Sequence, residues 1–390
     1  MYNFDYYIPT KIFFGKGALD KLPSEIALHA SKVLLVYGGG SIRRNGIYDA
    51  LLPLLARAGI EVCELSGVEP NPRVTTVARG AQLCRENGVG AVLAVGGGSV
   101  IDCSKVIAAA ALSAGDPWDL VTGKARITAA LPVFTVLTAA ATGSEMNNGA
   151  VISNMETHDK LGVKSPAMQP VASVLDPTYT FTTSRHQTAA GTADIMSHTL
   201  ENYFSRAADF TLLDGMAEAI LKTCIQYGPA ALKTPDHYEA RANLMWASSL
   251  AINGLIRWGK ADAWSVHSME HPLSAYYDIT HGDGLAVLTP SWMTHVLSEA
   301  TLDRFVRYGV QVWGVDPALD KWEIARRSID ITRDFFTRVL GIPGSLRALG
   351  IDETHLEEMA QKASTPALQK DAFVPLFPND VLAIYRRCLD

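Results

Sequence analysis

A chain of 390 residues, 48% apolar and 19% charged, can bury a large core and is too long for one small domain; two domains are expected, and the composition argues against disorder. The net charge of -6, with cations and anions scattered, leaves no basic stripe to neutralise phosphates and argues against a nucleic-acid partner. No apolar run reaches the ~18 residues that span a bilayer, the N-terminus MYNFDYYIPTK is no secretory signal, and the five cysteines, never C-x-x-C, read as thiols of a reducing compartment. A soluble cytoplasmic protein is the expectation.

In chain order, residues 5–14 have the pattern of an edge strand. Residues 32–37 (KVLLVY) form an apolar run closed by Gly38, Gly39, Gly40 and Ser41. A helix is predicted over 49–58, a strand over 60–65 and a helix over 75–87, which stops at Gly88. Residues 91–95 (AVLAV) are a buried strand closed by Gly96, Gly97, Gly98 and Ser99, followed by an Ala-rich helix over 100–112 and a strand over 133–137. This βαβαβ rhythm predicts an α/β domain with a parallel sheet covered by helices on both faces. After Asp176-Pro177 helical periodicity takes over, at 189–204, 211–227, 238–256, 263–271, 285–297 and 322–340. The expected division is a dinucleotide-binding α/β domain over 1–182 and an all-helical metal-binding domain over 183–390.

The two Gly-rich turns carry the first chemical signal. Glycines between a strand and a helix let backbone N–H groups approach a phosphate, and the helix start adds its partial positive charge. Gly96-Gly97-Gly98-Ser99 has that context and is read as the pyrophosphate cradle; a ligand-free βα turn is the bland alternative. Asp102, one turn into the helix, either caps orphan N–H groups or orients the loop or the nicotinamide end. In the Gly38–Ser41 turn no carboxylate is present to hold ribose hydroxyls, while Ser41, Arg43 and Arg44 can attract a phosphate. NADP(H) is therefore expected over NAD. The strict G-x-G-x-x-G fingerprint is absent.

The second signal is a cluster of metal-ligating residue types. Asp194 and His198 stand four apart, so a helix puts both on one face. His267 and His271 repeat that spacing, and His281 opens a further helical stretch. Any one such pair is commonly structural. The five together exceed what a tetrahedral catalytic site with one open position needs, and spacing does not decide which one stands outside it. Pro272, directly after His271, predicts a kink or an early helix end, because its ring should clash with the carbonyl of Ser268.

With these residues in view, the chain resembles the iron-containing alcohol dehydrogenase family. The matching segments are FGKGALDKL (14–22), VEPNPR (68–73), AVGGGSVID (94–102), TAAATGSE (138–145), VLDPTYT (174–180), ADIMSHTLE (193–201) and HSMEH with HGDGLA (267–286). The branch it is most similar to contains NADPH-dependent butanol dehydrogenases and broad-range aldehyde reductases. The resemblance implies a dehydroquinate synthase-like fold, with Asp194, His198, His267 and His281 as ligands of Fe2+ or Zn2+. It places His271 beside them without ligating. It implies that Gly97, Gly98, Ser99 and Asp102 form the pyrophosphate loop, and that Thr138, Thr142 and Lys160 line the cofactor. Asn71 falls near the adenine side, and Gly39 stands near where NAD-preferring relatives carry a carboxylate. A homodimer is implied, with the N-terminal strand as a candidate interface element.

The function expected is hydride transfer between NADPH and a short aldehyde, with the metal polarising the carbonyl and His271 or a water relaying the proton. Trp258, Trp264 and Asn148 are candidate pocket-lining residues, the pocket being expected between the domains. Glycerol dehydrogenase-like and maleylacetate reductase-like oxidoreductases are the near alternatives. A dehydroquinate synthase-like lyase, which needs many cations around its substrate, and a non-catalytic nucleotide-binding protein are the distant ones.

Overall fold

The computed structural model describes residues 2–206, 210–261 and 263–390. By its contacts the chain divides into two units, Tyr7–Ser184 with Pro235–Ser249, and Met1–Tyr6 with Arg185–Thr234 and Leu250–Asp390.

The first unit is built on a six-stranded sheet of β1 (Lys11–Phe14), β2 (Lys32–Tyr37), β3 (Glu61–Leu65), β4 (Ala91–Gly96), β5 (Val133–Leu137) and β8 (Ala172–Leu175). Its order is β1-β8-β5-β4-β2-β3, and every pairing is parallel. All six residues of β4 are buried, as expected of a parallel strand covered on both faces. The strand expected over 5–14 is reduced to Lys11–Phe14: Pro9 has no N–H to donate, and pairing begins where the Lys11 N–H reaches the Val171 carbonyl at 3.0 Å. A short antiparallel hairpin, β6 (Gly149–Asn154) with β7 (Asp159–Lys164), lies outside the sheet and was not anticipated.

The helix Val74–Asn87 ends at Gly88, whose φ of 62° only glycine adopts without strain. Its Gly80 lies so close to the helix Gly98–Ala111 that an added Cβ would stand 2.5 Å from Ile107 Cδ1. The helix Tyr238–Ile252, expected among the helical half, contributes its first twelve residues to this unit. There Trp246 meets Phe14 edge-on, and the Ser249 hydroxyl donates to the Glu145 carboxylate at 2.5 Å.

The second unit is helical. Its central helix, Arg185–Tyr203, is buried along most of its length although it is rich in Thr, Ser, His and Asp. Local back-bonding makes that burial tolerable: Thr192 donates to the Thr188 carbonyl, Thr199 to Ile195 and the Asn202 amide to His198. The helix Thr211–Lys233 continues through Gly228-Pro229, where the sequence pattern stops at 227. The helix Ser265–Tyr277 likewise runs through Pro272, so the early end offered as one alternative there is corrected. Pro272 is buried, and packing of this helix against His281–Val296 and Leu356–Ala363 outweighs the one backbone hydrogen bond that proline removes. Among the described residues no helix is long and apolar enough to cross a membrane.

The helix His281–Val296 meets the central helix at Gly282, where an added Cβ would lie 2.1 Å from the Ala190 carbonyl oxygen. That oxygen is backbone and cannot yield. Gly282→Ala is expected to lower stability by on the order of 3 kcal/mol, read as the urea midpoint, since overpacking against backbone cannot relax; an unchanged midpoint would show that this contact is looser than described.

Candidate active site

The central helix supplies three acid or imidazole groups on one face: Asp194, His198 four residues on and Glu201 three further. The helix Ser265–Tyr277 supplies His267, Glu270 and His271, and His281 is the first residue of its own helix. The fold points three imidazoles at one carboxylate oxygen. His198 Nε2 lies 3.3 Å from Asp194 Oδ1, and the Nε2 atoms of His267 and His281 each lie 3.9 Å from it. A tetrahedral shell with bonds of about 2.1 Å spaces its ligand atoms about 3.4 Å apart. Asp194, His267 and His281 offer atoms that all lie within 4.8 Å of one another, as a shared divalent ion needs, whereas His198 stands close to Asp194 without joining that set.

Orphaned atoms point the same way. Asp194 Oδ1 and His267 Nε2 are buried without a hydrogen-bond partner. Burial alone would raise the Asp194 pKa, but the charges of His198, His267 and His281 hold it well below the usual carboxylate range. Burial pushes His198 down to about 3 despite Asp194. Burial also opposes charge on His267, yet the carboxylates of Asp194 and Glu201 lift it to about 9. The two carboxylates favour positive charge at this position, which a metal cation would supply in place of a proton.

Two carboxylates that sequence reasoning missed stand behind the histidines. Glu201 lies 3.2 Å from His267 Nδ1 and also accepts the backbone N–H groups of Ser265, Val266 and His267, at 2.8, 2.6 and 3.0 Å. One side chain therefore caps the helix that carries His267 and orients its ring. Glu270 bonds His281 Nδ1 and takes the hydroxyl of Ser274. A carboxylate on Nδ1 fixes the tautomer that leaves Nε2 free for a metal. The signal was present in the i, i+4, i+7 series 194, 198, 201, which continues the spacing used for the first two members.

His271 is partly buried, with its ring 6.4 Å from that of His267 and 5.9 Å from that of His281. It can share a ligand position with Glu270 and His281, but it does not join the set facing Asp194 Oδ1.

In the α/β unit, Gly39 and Ser41 follow β2, Gly97, Gly98 and Ser99 follow β4, and Thr138 and Thr142 follow β5. These three strands are adjacent, with Tyr37 opposite Val95 and Gly96 opposite Leu137, so the turns line one edge of the sheet. Chain order reverses between β2 and β4, the position where open α/β sheets bind ligands. No side chain caps the helix Gly98–Ala111. A Cβ on Gly98 would stand 2.1 Å from Thr142 Oγ1, so the turn after β5 packs directly on the cradle. Ser99 donates to the Pro70 carbonyl, and Ser153 N–H donates to Pro72, which ties the segment around buried Asn71 to the same region. Lys160 lies on β7, buried and paired across the hairpin with Ser153.

Asp102 reaches from its helix to the 144–151 segment. It accepts from the Ser144 hydroxyl and from Val151 N–H at 2.8 Å. Beside it Lys105, overlooked in the sequence, is fully buried and donates to Ser144 Oγ, Asn147 Oδ1 and the Gly149 carbonyl; burial lowers its pKa to about 8. The pair locks the 144–151 segment to the cradle helix. Arg43, expected to be available to a phosphate, is paired with Glu64 at 3.0 Å and stacked 3.8 Å above the Tyr48 ring. Arg44 reaches the Gly39 carbonyl at 3.4 Å.

Comparison with known proteins bears on this arrangement. The family model for iron-containing alcohol dehydrogenase matches residues 9–177, and that for the C-terminal part of the Fe-containing alcohol dehydrogenase family matches 188–389. The chain belongs to the iron-containing alcohol dehydrogenase family. It is 58% identical over 99% of its length to the whole of NADH-dependent butanol dehydrogenase A of Clostridium acetobutylicum. It is 41% identical to the NADPH-dependent aldehyde reductase YqhD of Escherichia coli, over 93% of each chain. The crystal structure of an NADH-dependent butanol dehydrogenase A from Thermotoga maritima superposes with a TM-score of 0.95 at 38% identity, covering 100% of this chain and 99% of that one.

This member of the iron-containing alcohol dehydrogenase family is therefore an oxidoreductase, and a nicotinamide cofactor and a metal go with that membership. The relatives at 58% and 45% identity are named NADH-dependent and the one at 41% NADPH-dependent, so the family includes both cofactors. Glu201→Gln keeps shape but removes the anion behind His267. Metal affinity is expected to fall about 10- to 100-fold, measured by competition with a chelator, with unfolding little changed; undiminished affinity would leave Glu201 a helix cap alone.

Proposed function

We propose that this alcohol dehydrogenase interconverts short primary alcohols and aldehydes of the butanol and butanal class with NADP(H). One divalent metal, Fe2+ or Zn2+, is held by Asp194, His198, His267 and His281. The observation that carries the reading is the convergence of three Nε2 atoms on the buried, unpartnered Asp194 Oδ1. The reaction is R-CHO + NADPH + H+ ⇌ R-CH2OH + NADP+. A metal bound there supplies Lewis acidity that polarises the aldehyde oxygen and steadies the alkoxide. The nicotinamide supplies or accepts the hydride.

The chain's own residues do the rest. Glu201 and Glu270 hold the Nδ1 protons of His267 and His281, so that their Nε2 lone pairs point at Asp194 Oδ1. His271, partly exposed beside His281, passes a proton between the alcohol oxygen and solvent. Gly97, Gly98 and Ser99 present the uncapped helix start to the pyrophosphate, while Asp102 orients the neighbouring segment and Thr138, Thr142, Lys160 and Asn71 border the cofactor. Butanol dehydrogenase and aldehyde reductase relatives support the substrate class; none of those named is a lyase.

NADP(H) rests on the turn after β2, which offers Ser41 and Arg44 and no carboxylate, Arg43 being neutralised by Glu64. We further propose a cytoplasmic homodimer. Its support is the free outer edge of β1, where Phe14 and Trp246 are 42% and 38% exposed, and the five free cysteines. Sedimentation reads the assembly, and cell fractionation the compartment.

Stripping the metal with a chelator is expected to abolish NADPH oxidation by butanal, and Fe2+ or Zn2+ to restore it; full turnover by metal-free protein would remove the proposal. Gly39 has no heavy atom within 4 Å of an added Cβ. Gly39→Asp should therefore fold normally and shift the NADP/NAD preference toward NAD by about tenfold or more, a 2′-phosphate facing a new carboxylate. An unaltered ratio of kcat/KM values would mean that the adenosine end lies elsewhere.

A further inference from the structure

Three described non-glycine residues have positive φ: His158, Asp278 and Trp264. Trp264, with φ 50° and ψ 59°, is the least expected, because a bulky side chain in the left-handed region strains the backbone. Nothing in the turn itself calls for an indole, and glycine would adopt this conformation freely. The strain is held in place from the other side. Glu201 anchors the next three N–H groups, and the Trp264 carbonyl accepts the first helical bond from Ser268 N–H at 2.8 Å.

The indole stands edge-on to two imidazoles, with ring centroids 5.0 Å from His267 and 5.8 Å from His198. Those histidines are 6% and 3% exposed, whereas Trp264 remains partly exposed. It is thus a wall that begins at the imidazole cluster and ends in solvent. By contrast, Trp292 is packed away entirely in the same unit. A flat, rigid, uncharged surface beside a site for an oxygen-bound substrate suits an unbranched alkyl chain and crowds a branched or aromatic one.

We infer that Trp264 determines substrate size, its indole forming the wall against which the alkyl chain of the aldehyde or alcohol lies. This rests on the metal-site reading above. Backbone strain is kept at this position because the side chain is needed there, not because the turn requires it.

The test uses the metal-loaded enzyme, Trp264→Gly and Trp264→Phe. Metal content and urea midpoint are measured for each, together with kcat and KM for straight-chain aldehydes from propanal to octanal, 2-methylbutanal and benzaldehyde. Trp264→Gly relieves the strained φ, so the fold should survive. Its preference, expressed as kcat/KM for benzaldehyde or 2-methylbutanal relative to butanal, should rise by about tenfold, mainly through KM, with Trp264→Phe between it and the parent. An unchanged relative profile in active, metal-loaded Trp264→Gly overturns the inference and leaves the proposed reaction standing. Metal loss in both variants also overturns it, since the ring would then be a buttress for the histidines. Should Trp264→Gly alone lose metal, the Trp264→Phe profile decides by the same criterion. A metal-loaded parent inert toward every aldehyde removes the proposed reaction, and this inference with it.

Discussion

A carboxylate that is 3% exposed and has three imidazole nitrogens around one oxygen is the constraint from which the helical unit is arranged. Removing an ionised carboxylate from water costs several kcal/mol even after relaxation, and only a well-placed cation offsets it. Asp194 cannot obtain that compensation from its own helix beyond His198. It depends on His267 and His281, which arrive from two other helices. Their arrival depends in turn on Glu201, which anchors one helix start, and on the Gly282–Ala190 contact, which brings the other within reach. Buried anion, backing carboxylates and close helix crossing therefore form one mechanical unit.

The α/β unit meets a different demand. A phosphate-binding turn needs free backbone N–H groups held still, and any reorganisation on binding would weaken them. Gly98 abuts Thr142, and the Ser144 hydroxyl accepts from the buried Lys105 and donates to the half-buried Asp102, both of which also bond to the 147–151 segment. Lys105 shows why such networks are all-or-none. A fully buried ammonium is tolerable because three acceptors surround it and Asp102 and Glu145 lie nearby. The loop that carries Thr142 is thereby fixed to the helix Gly98–Ala111.

Selectivity lies in few residues and is not a matter of overall charge. Arg43 illustrates the point: in sequence it is a cation beside a phosphate-type turn, while in the fold it is bound by Glu64 and laid on Tyr48. A positive residue contributes to anion recognition only when its charge is not already matched. At the metal end, local strain at Trp264 and the anchoring by Glu201 belong together, since a strained residue persists only where its surroundings over-determine it.

Period and punctuation made much of this protein legible in one dimension. The apolar runs of β2, β4 and β5, the glycines after them, and the four-residue spacing of Asp194 and His198 are local properties, and they imply parallel strands, phosphate-type turns and one shared helix face. Where local pattern conflicted with packing, packing prevailed. Pro272 and Pro229 remain inside helices, and residues 238–249 join the sheet-bearing unit. Residue spacing named five possible ligands without ranking them, and the resemblance set His271 apart without giving a physical reason. That ranking needed the direction in which each nitrogen points, and direction depends on Glu201 and Glu270, whose partners lie 66 and 11 residues away. What the chain determined by itself was which residues could do the chemistry. Which of them converge, and which charge is already neutralised, only the tertiary structure decided, because distance through space is not encoded in distance along the chain.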